Sequence, residues 1–412
     1  MKIVGLITEY NPFHNGHQYH IQKAKEITGA NYCIVVMSGD FVQRGAPAFM
    51  PKHLRSRMAL LSGADLVLEL PVCYSCGSAE YFSRGAVALL NSLGCVDSLC
   101  FGSECGDYDA LEKIAKVLSD EPLLYKEALQ TNLKSGLSYP AARQNALKTY
   151  FNDKKTDQLL DEPNNILGIE YIKALYNLNS TIKGYTIQRN ISCYHEKELN
   201  ENFSSASAIR NIISETDAGP DFDKLISQMP AHCLDIIKQY HGFRYPVFAN
   251  DLSLILKYKL LLETNRTLIS YQDITPDLAN RIINFRNDFQ SFEQFCNLLK
   301  TKETTYSRIS RCLIHILLNI RSEDLTTYKN DCDCYYAKVL GFRKSSAEIF
   351  KALKETTAVP IITKLTQTDE LSLNAKRMLD QDIFCSDLYE SIVSHKFNVD
   401  FINEFQKQIV KI

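Results

Sequence analysis

The 412-residue sequence contains no tryptophan, no unbroken apolar run approaching the length of a membrane-spanning helix, and little excess charge, since its formal net charge is −2. Near-neutrality excludes a chain coated in positive charge, although a local basic patch is compatible with it. Without tryptophan, any stacking on nucleic-acid bases would fall to tyrosine or phenylalanine. No apolar stretch of signal-peptide length precedes Glu9, so we expect a cytoplasmic protein without membrane contact.

The thirteen cysteines lack the spacing of a metal site. Cys73 and Cys76 are spaced like half of a zinc site, but no second pair lies at zinc-finger distance, and Cys332 and Cys334 are too close together for the usual ligand spacing. We expect reduced thiols that are buried as small hydrophobic residues, and we assign no metal ligand from the protein.

Strands and helices alternate through the first hundred residues. Short apolar runs at 3–7, 31–37, 66–70 and 98–101 predict buried strands, and the segments between them have helical spacing. The alternation predicts an α/β fold with a parallel sheet, right-handed crossovers and helices on both faces. A helical insertion follows at about 107–160, and a last strand at 181–188. Beyond Gly219-Pro220 helical periodicity dominates, which predicts a boundary between domains at 1–217 and 218–412.

The most informative stretch joins the first strand to the first helix. The segment His14-Asn15-Gly16-His17 stands where the first N–H groups of the helix lack partners within it. These donors and the helix dipole favour an anion, Gly16 allows close approach, and His14 and His17 could donate hydrogen bonds to phosphate oxygens. Two histidines at this spacing alone are more often exposed or satisfied in the core, but the strand before them and the helix after them favour a polyphosphate site.

Other candidate positions each have a structural alternative. The loop 38–47, which two glycines and a proline should keep irregular, follows the second strand at the edge where open α/β sheets bind ligands. Gly102 either begins a helix-start turn or leaves room for a nucleotide across the strand ends. Asn164 or Asn165 either caps a helix or contacts a ligand.

A second motif runs from Phe203 to Arg210 and is rich in serine and alanine. Its structural interpretation is an ordinary helix start that is capped by Ser204 or Ser205. Its functional interpretation is a second phosphate clamp, built from hydroxyls, N–H groups and Arg210 one turn along the helix.

A basic segment lies between residues 300 and 344, with nine Lys and Arg against five Asp and Glu. Arg308 and Arg311 share a helix face, for which a solvated surface is the default interpretation. Tyr328, Tyr335 and Tyr336 stand among the basic residues and favour an RNA-contacting surface instead. The candidate RNA-binding residues are Lys300, Lys302, Arg308, Arg311, Lys338, Arg343 and Lys344.

Together these motifs resemble the bacterial tRNA(Met) cytidine acetate ligase family, within the HxGH nucleotidyltransferases. The resemblance is carried by residues 9–17, 37–39 with 43–45, 69–71, 101–104, 138–141, 163–168 and 203–210, and by Lys300-Thr301-Lys302 with Arg308 and Arg311. It implies a Rossmann-like nucleotidyltransferase domain followed by a mainly α-helical domain that contributes to tRNA binding. It also implies an ATP-dependent ligase that converts acetate to acetyl-adenylate and transfers the acetyl group to N4 of the wobble cytidine of elongator tRNA(Met).

The resemblance assigns roles to individual residues. His14, His17, Ser207 and Arg210 would serve the phosphates, and Mg²⁺ would bridge phosphate oxygens. Independently of the resemblance, the position of Asp40 in the loop 38–47 makes it a candidate base or polar contact in the second step. The ATP-binding residues so implied are Ile7, Thr8, Glu9, Tyr10, Asn11, Pro12, Phe13, His14, Asn15, Gly16, His17, Gln18, Tyr19, His20, Gly102, Asn165, Arg189 and Asn190.

Two other functions stay open on the sequence. An HxGH adenylyltransferase acting on a small phosphate-ester coenzyme precursor would explain residues 1–215 but leave the basic helical segment without a role. A non-catalytic RNA-binding protein that has kept a nucleotide fold would use the basic segment without turning over ATP. Acetate-dependent pyrophosphate exchange separates the ligase from both.

Overall fold

One β-sheet runs through the protein, whose computed structural model describes residues 1–189, 205–214 and 220–412. Within those ranges the strands are β1 (Ile3–Thr8), β2 (Tyr32–Ser38), β3 (Phe41–Val42), β4 (Ala46–Pro47), β5 (Leu66–Leu70), β6 (Ser98–Ser103), β7 (Lys183–Gln188), β8 (Ala337–Phe342), β9 (Ile361–Ile362) and β10 (Val410–Lys411).

Five strands form the parallel part of this sheet in the order β5-β2-β1-β6-β7. The predicted α/β fold with a parallel sheet is therefore confirmed. The chain proceeds from β1 to β2 and β5 on one side, and then returns to place β6 and β7 on the other. In open α/β sheets, the ligand crevice lies outside the carboxyl ends of the strands at such a reversal, here between β1 and β6.

The first strands are continuous apolar runs because both faces of the sheet are covered. Side chains alternate along a strand, so Ile3 and Ile7 enter one hydrophobic core, whereas Val4 and Leu6 enter the other. All five residues of β5 are buried. The hydrophobic sequence of these strands thus follows from burial on both sides of the sheet.

Helices cover the two faces. Those that accompany the first seven strands are α1 (Asn15–Thr28), α2 (Lys52–Leu61), α3 (Val72–Ser75), α4 (Ala79–Ser92), α5 (Tyr108–Asp120), α6 (Leu123–Lys134), α7 (Tyr139–Phe151), α8 (Lys154–Leu159) and α9 (Pro163–Asn177). The helices α5 to α8 occupy the stretch for which the sequence predicts a helical insertion.

The later helices follow the predicted α-helical periodicity. They are α10 (Ala206–Ser214), α11 (Ala231–Tyr240), α12 (Ser253–Leu262), α13 (Asn265–Leu268), α14 (Pro276–Phe285), α15 (Phe292–Leu299), α16 (Tyr306–Leu317), α17 (Ser322–Asp331), α18 (Ala347–Thr356) and α19 (Leu373–Phe397). None of the helices in the described ranges combines the length and apolar composition that crossing a bilayer requires.

The carboxyl-terminal half also contributes strands to the central sheet. β8 pairs antiparallel with β5, and both β9 and β10 pair parallel with β8. The sheet thus takes strands from both sides of residue 217, where the sequence predicts a domain boundary, and that boundary stays a prediction. The loop 38–47 differs from its expected irregularity, because β3 and β4 pair as a short antiparallel hairpin.

Candidate active site

The connection from β1 to α1 is held in place by buried aromatic side chains. Tyr10 adopts a positive φ of 48°, and its ring packs edge-on against that of Phe13 with 4.8 Å between centroids. Both rings are almost fully buried, as are Ile7 and Pro12. These residues of the predicted ATP-binding stretch therefore support the loop from within the core.

The two histidines of the first motif stack on each other at the start of α1. His14 is the N-cap residue, and the centroids of its ring and that of His17 are 3.7 Å apart. The Nδ1 atom of His14 accepts a hydrogen bond from the Gly16 N–H at 3.1 Å, and Nδ1 of His17 accepts from the His14 N–H at 3.3 Å. Because each Nδ1 is an acceptor, the neutral rings carry their proton on Nε2 and can donate from that atom.

Burial and positive charge keep these rings neutral. Burial, followed by the guanidinium charges of Arg189 and Arg210, lowers the pKa of His14 to about 3. The pKa of His17 is also lowered, by burial first and then by His14 and Arg189. Burial and Arg189 lower the pKa of His20 to about 4. The site therefore combines two cationic side chains with neutral imidazole donors, an arrangement that favours a polyanion.

The second sequence motif meets the first in space. Arg210, on α10, donates from Nη1 to the carbonyl of Asn11 at 2.7 Å and from Nη2 to Oγ of Ser207 at 3.0 Å. Oγ of Ser205 accepts from the N–H of Ala208, so Ser205 caps α10, in agreement with the structural interpretation of this motif. Ser204, the alternative cap, and Asn190, an implied ATP ligand, lie outside the described residues.

The first backbone donors of α1 are already engaged by the protein. The Asn15 N–H donates to the carbonyl of Gln228 at 3.0 Å, and the Asn15 side chain donates to Ser227. A Cβ on Gly16 would lie 2.9 Å from Cε1 of His14, so the glycine makes room for the imidazole ring itself. In this arrangement the imidazoles, more than free N–H groups, are the donors that face a ligand.

Gly102 and Arg189 form the other side of the crevice. Gly102 lies inside β6, because this strand continues two residues beyond the predicted end at residue 101, and a Cβ there would approach Cγ of Arg189 at 3.1 Å. The carboxylate of the nearby Glu104 accepts hydrogen bonds from the N–H groups of Asn164 and Asn165 and thereby caps the start of α9. Asn165 is buried, and its Oδ1 accepts from the Cys105 N–H at 3.1 Å, which ties α9 to the loop after β6.

The remaining residues of the implied ATP-binding stretch lie at its two ends. Thr8 is the last residue of β1, and the carboxylate of Glu9 accepts from the Gln43 N–H at 3.0 Å. Gln18, Tyr19 and His20 continue along the first turns of α1, with Tyr19 the most exposed of the three.

Asp40 is buried at the start of α2. Its Oδ1 accepts from the Lys52 N–H at 2.8 Å, whereas Oδ2 has no hydrogen-bond partner and lies 3.8 Å from Nζ of Lys52. Nζ of Lys52 is also ion-paired with Glu69 at 2.7 Å and with Glu404 at 2.6 Å. Asp40 therefore caps α2 and borders a buried ion cluster.

Arg55, which the sequence does not single out, holds several loops of the candidate site together. It is fully buried and donates to the carbonyls of Glu9 at 2.6 Å, Ser38 at 3.1 Å, Met50 at 2.9 Å and Gly39. No sequence signal distinguishes it from the other basic residues of α2, because its role depends on carbonyls that only the folded chain brings together.

The candidate RNA-binding residues fall into three classes of exposure. Those that are exposed are Lys300, Lys302 and Lys344, and those that are partly buried are Arg308, Arg311 and Arg343. Lys338 differs from both, since it is buried and ion-paired with Glu69 and Glu404, each at 2.8 Å.

The helix that carries two of these arginines packs against an active-site loop. Oγ of Ser310, on α16, donates to the carbonyl of Gly45 at 2.6 Å, and a Cβ on Gly45 would lie 2.4 Å from the backbone of Arg311. Gly45 lies in the β3–β4 hairpin, whose Gln43 contacts Glu9. Basic residues of α16 thus border the loops around the histidine pair.

Comparison with known proteins identifies relatives over almost the whole chain. The family model for HIGH Nucleotidyl Transferase matches residues 1–403. The tRNA(Met) cytidine acetate ligase of Alkaliphilus metalliredigens is 39% identical over 406 residues, covering 96% of this chain and 95% of the relative. The corresponding protein of Clostridium kluyveri is 40% identical, covering 98% of each. The crystal structure of Thermotoga maritima TmcAL bound with alpha-thio ATP superposes with a TM-score of 0.92 at 30% identity, covering 100% of both chains.

Proposed function

The chain belongs to the HIGH nucleotidyl transferase family and, within it, to the tRNA(Met) cytidine acetate ligases, and from this membership we propose that it is an ATP-dependent tRNA-modifying ligase. The proposed substrates are ATP, acetate and elongator tRNA(Met). The products are AMP, diphosphate and N4-acetylcytidine at the wobble position of the anticodon.

In the first step an acetate oxygen attacks the α-phosphorus of ATP, and the bond from that phosphorus to the bridging oxygen of diphosphate breaks. The protein has little covalent work to do, because positioning and charge stabilisation carry such reactions. We assign His14 and His17 to donate from Nε2 to phosphate oxygens, and Arg189 and Arg210 to stabilise the charge that develops on the departing diphosphate. Ser207, which is hydrogen-bonded to Arg210, would orient that guanidinium.

In the second step the N4 amine of cytidine attacks the carbonyl carbon of the mixed anhydride, AMP leaves and the amine loses a proton. A cytidine amine is a poor nucleophile, which is why an activated acyl donor is needed. Asp40 is proposed to accept this proton, because its Oδ2 atom has no hydrogen-bond partner. The target base would have to leave the anticodon stack to reach the acyl group.

Mg²⁺ is proposed to accompany the triphosphate. Over residues 1–189, 205–214 and 220–412, no group of three or more His, Cys, Asp or Glu side chains could hold a metal ion. We therefore expect that Mg²⁺ would be held mainly by the phosphates of ATP and by water, since this ion keeps several waters when it binds nucleotides.

The observation that carries the proposal is the convergence of the histidine pair with Arg210 on one loop. Replacement of His17 by Ala removes one Nε2–H donor, and we expect acetate-dependent exchange of pyrophosphate into ATP to fall about 100-fold or more. The exposed His395 on α19 offers a matched control, and its replacement by Ala should leave the exchange unchanged.

Mass spectrometry of tRNA nucleosides then tests the whole reaction. The expected product is cytidine heavier by one acetyl group, formed only when ATP and acetate are both present. Normal acetylation by the His17→Ala variant would show that the site is assigned wrongly. Exchange that depends on a small phosphate ester instead of acetate would favour the adenylyltransferase alternative.

A further inference from the structure

A second cavity, of about 580 Å³, lies along β8. Its walls come from β8, from Phe350 on α18, and from the segments 362–366 and 404–411, and its lining also includes His53 on α2. None of its lining residues belongs to the stretch 7–20 or to α10. Its volume is within the range of small-molecule pockets and far exceeds the needs of acetate.

His53 contributes to this cavity a polar side chain that has no hydrogen-bond partner. Both ring nitrogens are buried, and neither has a hydrogen-bond partner. A buried polar atom without a partner costs free energy, so such atoms usually indicate a water or ligand that completes them. Burial lowers the pKa of His53 to about 4, and the neutral ring presents one donor and one acceptor.

The cavity lining carries an excess of positive side chains, although the net charge of the whole chain is −2. Four lysines line it against a single carboxylate, that of Glu404. Lys338 and Lys407 are ion-paired, with Glu404 and Glu390 respectively. The other two, Lys364 and Lys411, are exposed and form no ion pair with a described carboxylate. Two ammonium groups are therefore available to an anion.

Aromatic rings complete the lining. Phe342 and Phe350 pack edge-on with 4.9 Å between their centroids, and Phe405, which also lines the cavity, is 56% exposed. An exposed phenylalanine in a cavity lining offers a face on which a planar ring such as a nucleic-acid base can stack.

We propose that this cavity binds one unstacked nucleotide of the RNA substrate. The base would stack on Phe405 and meet the His53 ring nitrogens with its polar edge, while the phosphates would contact Lys364 and Lys411. The assumption that this nucleotide belongs to an RNA substrate rests on the proposed function. β8 lies three strand spacings from β1, about 14 Å at the usual spacing, so one RNA could contact both sites.

The test measures binding of a tRNA(Met) transcript to the full chain as a function of salt. Reversing both free lysines, Lys364→Glu with Lys411→Glu, should weaken binding about tenfold or more. It should also reduce the slope of log K against log salt by about 0.7 for each phosphate that the variant no longer neutralises. The matched control reverses Lys351 and Lys354, which are exposed on α18 but lie outside the cavity lining. Pyrophosphate exchange should be unchanged in both variants.

His53→Leu provides an independent measurement. Removing an unpartnered buried imidazole should leave Tm unchanged or raise it, while RNA binding weakens. A purely structural histidine would lower Tm and leave RNA affinity intact, which would overturn the proposal. A crystal soaked with CMP tests the same cavity. If CMP density appears there while the lysine variant binds RNA with unchanged affinity, the cavity is a site for a free nucleotide and the RNA assignment is overturned.

Failure of this proposal and failure of the proposed function give different results. If the unmodified protein does not bind the transcript at all, the proposed function fails. If it binds and the lysine variant binds equally well with the same salt slope, only the cavity assignment fails.

Discussion

At the scale of single residues, the candidate active site depends on hydrogen bonds that reach backbone atoms. Arg55 donates to carbonyls from the loops after β1 and β2 and from the approach to α2. His14 and His17 each accept from a backbone N–H and thereby keep their donor atom outward. The histidine motif can be interpreted from sequence because its spacing and its place after a strand are local features. Arg55 cannot, because its partners lie up to 46 residues away in the chain.

Arg55→Lys tests this positioning role. A lysine presents three donors from one atom and would leave at least one of the four buried carbonyls unpaired, so we expect a loss of roughly 1–3 kcal/mol in the free energy of unfolding. Urea denaturation measures it. Arg57→Lys, on the same helix but only partly buried, should change the free energy of unfolding by no more than about 0.5 kcal/mol. A similar small effect at Arg55 would contradict its role in joining the loops.

The buried histidines should make stability depend on pH. The pKa of His14 is lowered to about 3, whereas in the unfolded chain it returns to about 6.5. As pH falls below 6.5 the unfolded state takes up the proton first, so stability that is present above this pH is lost towards pH 3, by up to about 1.4 kcal/mol per pH unit. Urea unfolding between pH 7.5 and 5 should show a weaker pH dependence in His14→Gln.

The exposed His395 provides the comparison for that measurement, because its replacement by Gln should leave the pH dependence in place. A non-hydrolysable ATP analogue should reduce the dependence in the unmodified protein, since phosphate charge beside the ring favours its protonated form. An equal slope in His14→Gln and in the unmodified protein would show that His14 is not the group responsible.

At the scale of elements, β8 is joined to the parallel sheet by charge as well as by backbone pairing. Lys338 stands opposite Glu69 in the β5–β8 register, and Glu404 and Lys52 complete a buried cluster. The sequence does not reveal this strand, because a short apolar run with Lys338 near its start and Arg343 and Lys344 directly after it resembles part of a charged surface segment. The sequence assigns Lys338 to RNA binding for the same reason. Its counterions are Glu69 and Glu404, which only the fold brings near it.

Lys52→Met tests the cluster. The change leaves Glu69 and Glu404 with only Lys338 as a buried counterion, and we expect a loss of about 3–5 kcal/mol in the free energy of unfolding. Adding Glu404→Gln should restore part of the loss, because it removes one uncompensated charge. A double variant that is as unstable as the sum of the two single variants would show that the residues do not interact.

At the scale of the whole molecule, the helix α16, which carries Arg308 and Arg311, borders the loops that hold the histidines. The contact between Ser310 and Gly45 joins α16 to the β3–β4 hairpin, and the hairpin in turn contacts Glu9. Composition alone indicates a basic segment, but not that it lies beside the site, because that adjacency depends on a packing contact between residues 265 positions apart.

Reversing Lys300 and Lys302 to Glu tests whether this surface contacts RNA. Both are exposed, and the change should weaken tRNA(Met) binding about tenfold and reduce its salt dependence, with pyrophosphate exchange unaffected. The variant with reversed charges at Lys351 and Lys354 serves as the control. Unchanged affinity and an unchanged salt slope would place the RNA elsewhere on the molecule.

The late position of β8 in the chain also has a consequence for biosynthesis. The β5 edge is translated about 270 residues before the strand that covers it. At about 5–20 residues per second, that edge waits roughly 15–50 s with its hydrogen-bonding groups open, and Glu69 lacks its partner Lys338 for the same interval. The nascent protein therefore passes through a period in which ribosome-associated chaperones, or pairing with a neighbouring chain on the same message, would compete for the exposed strand.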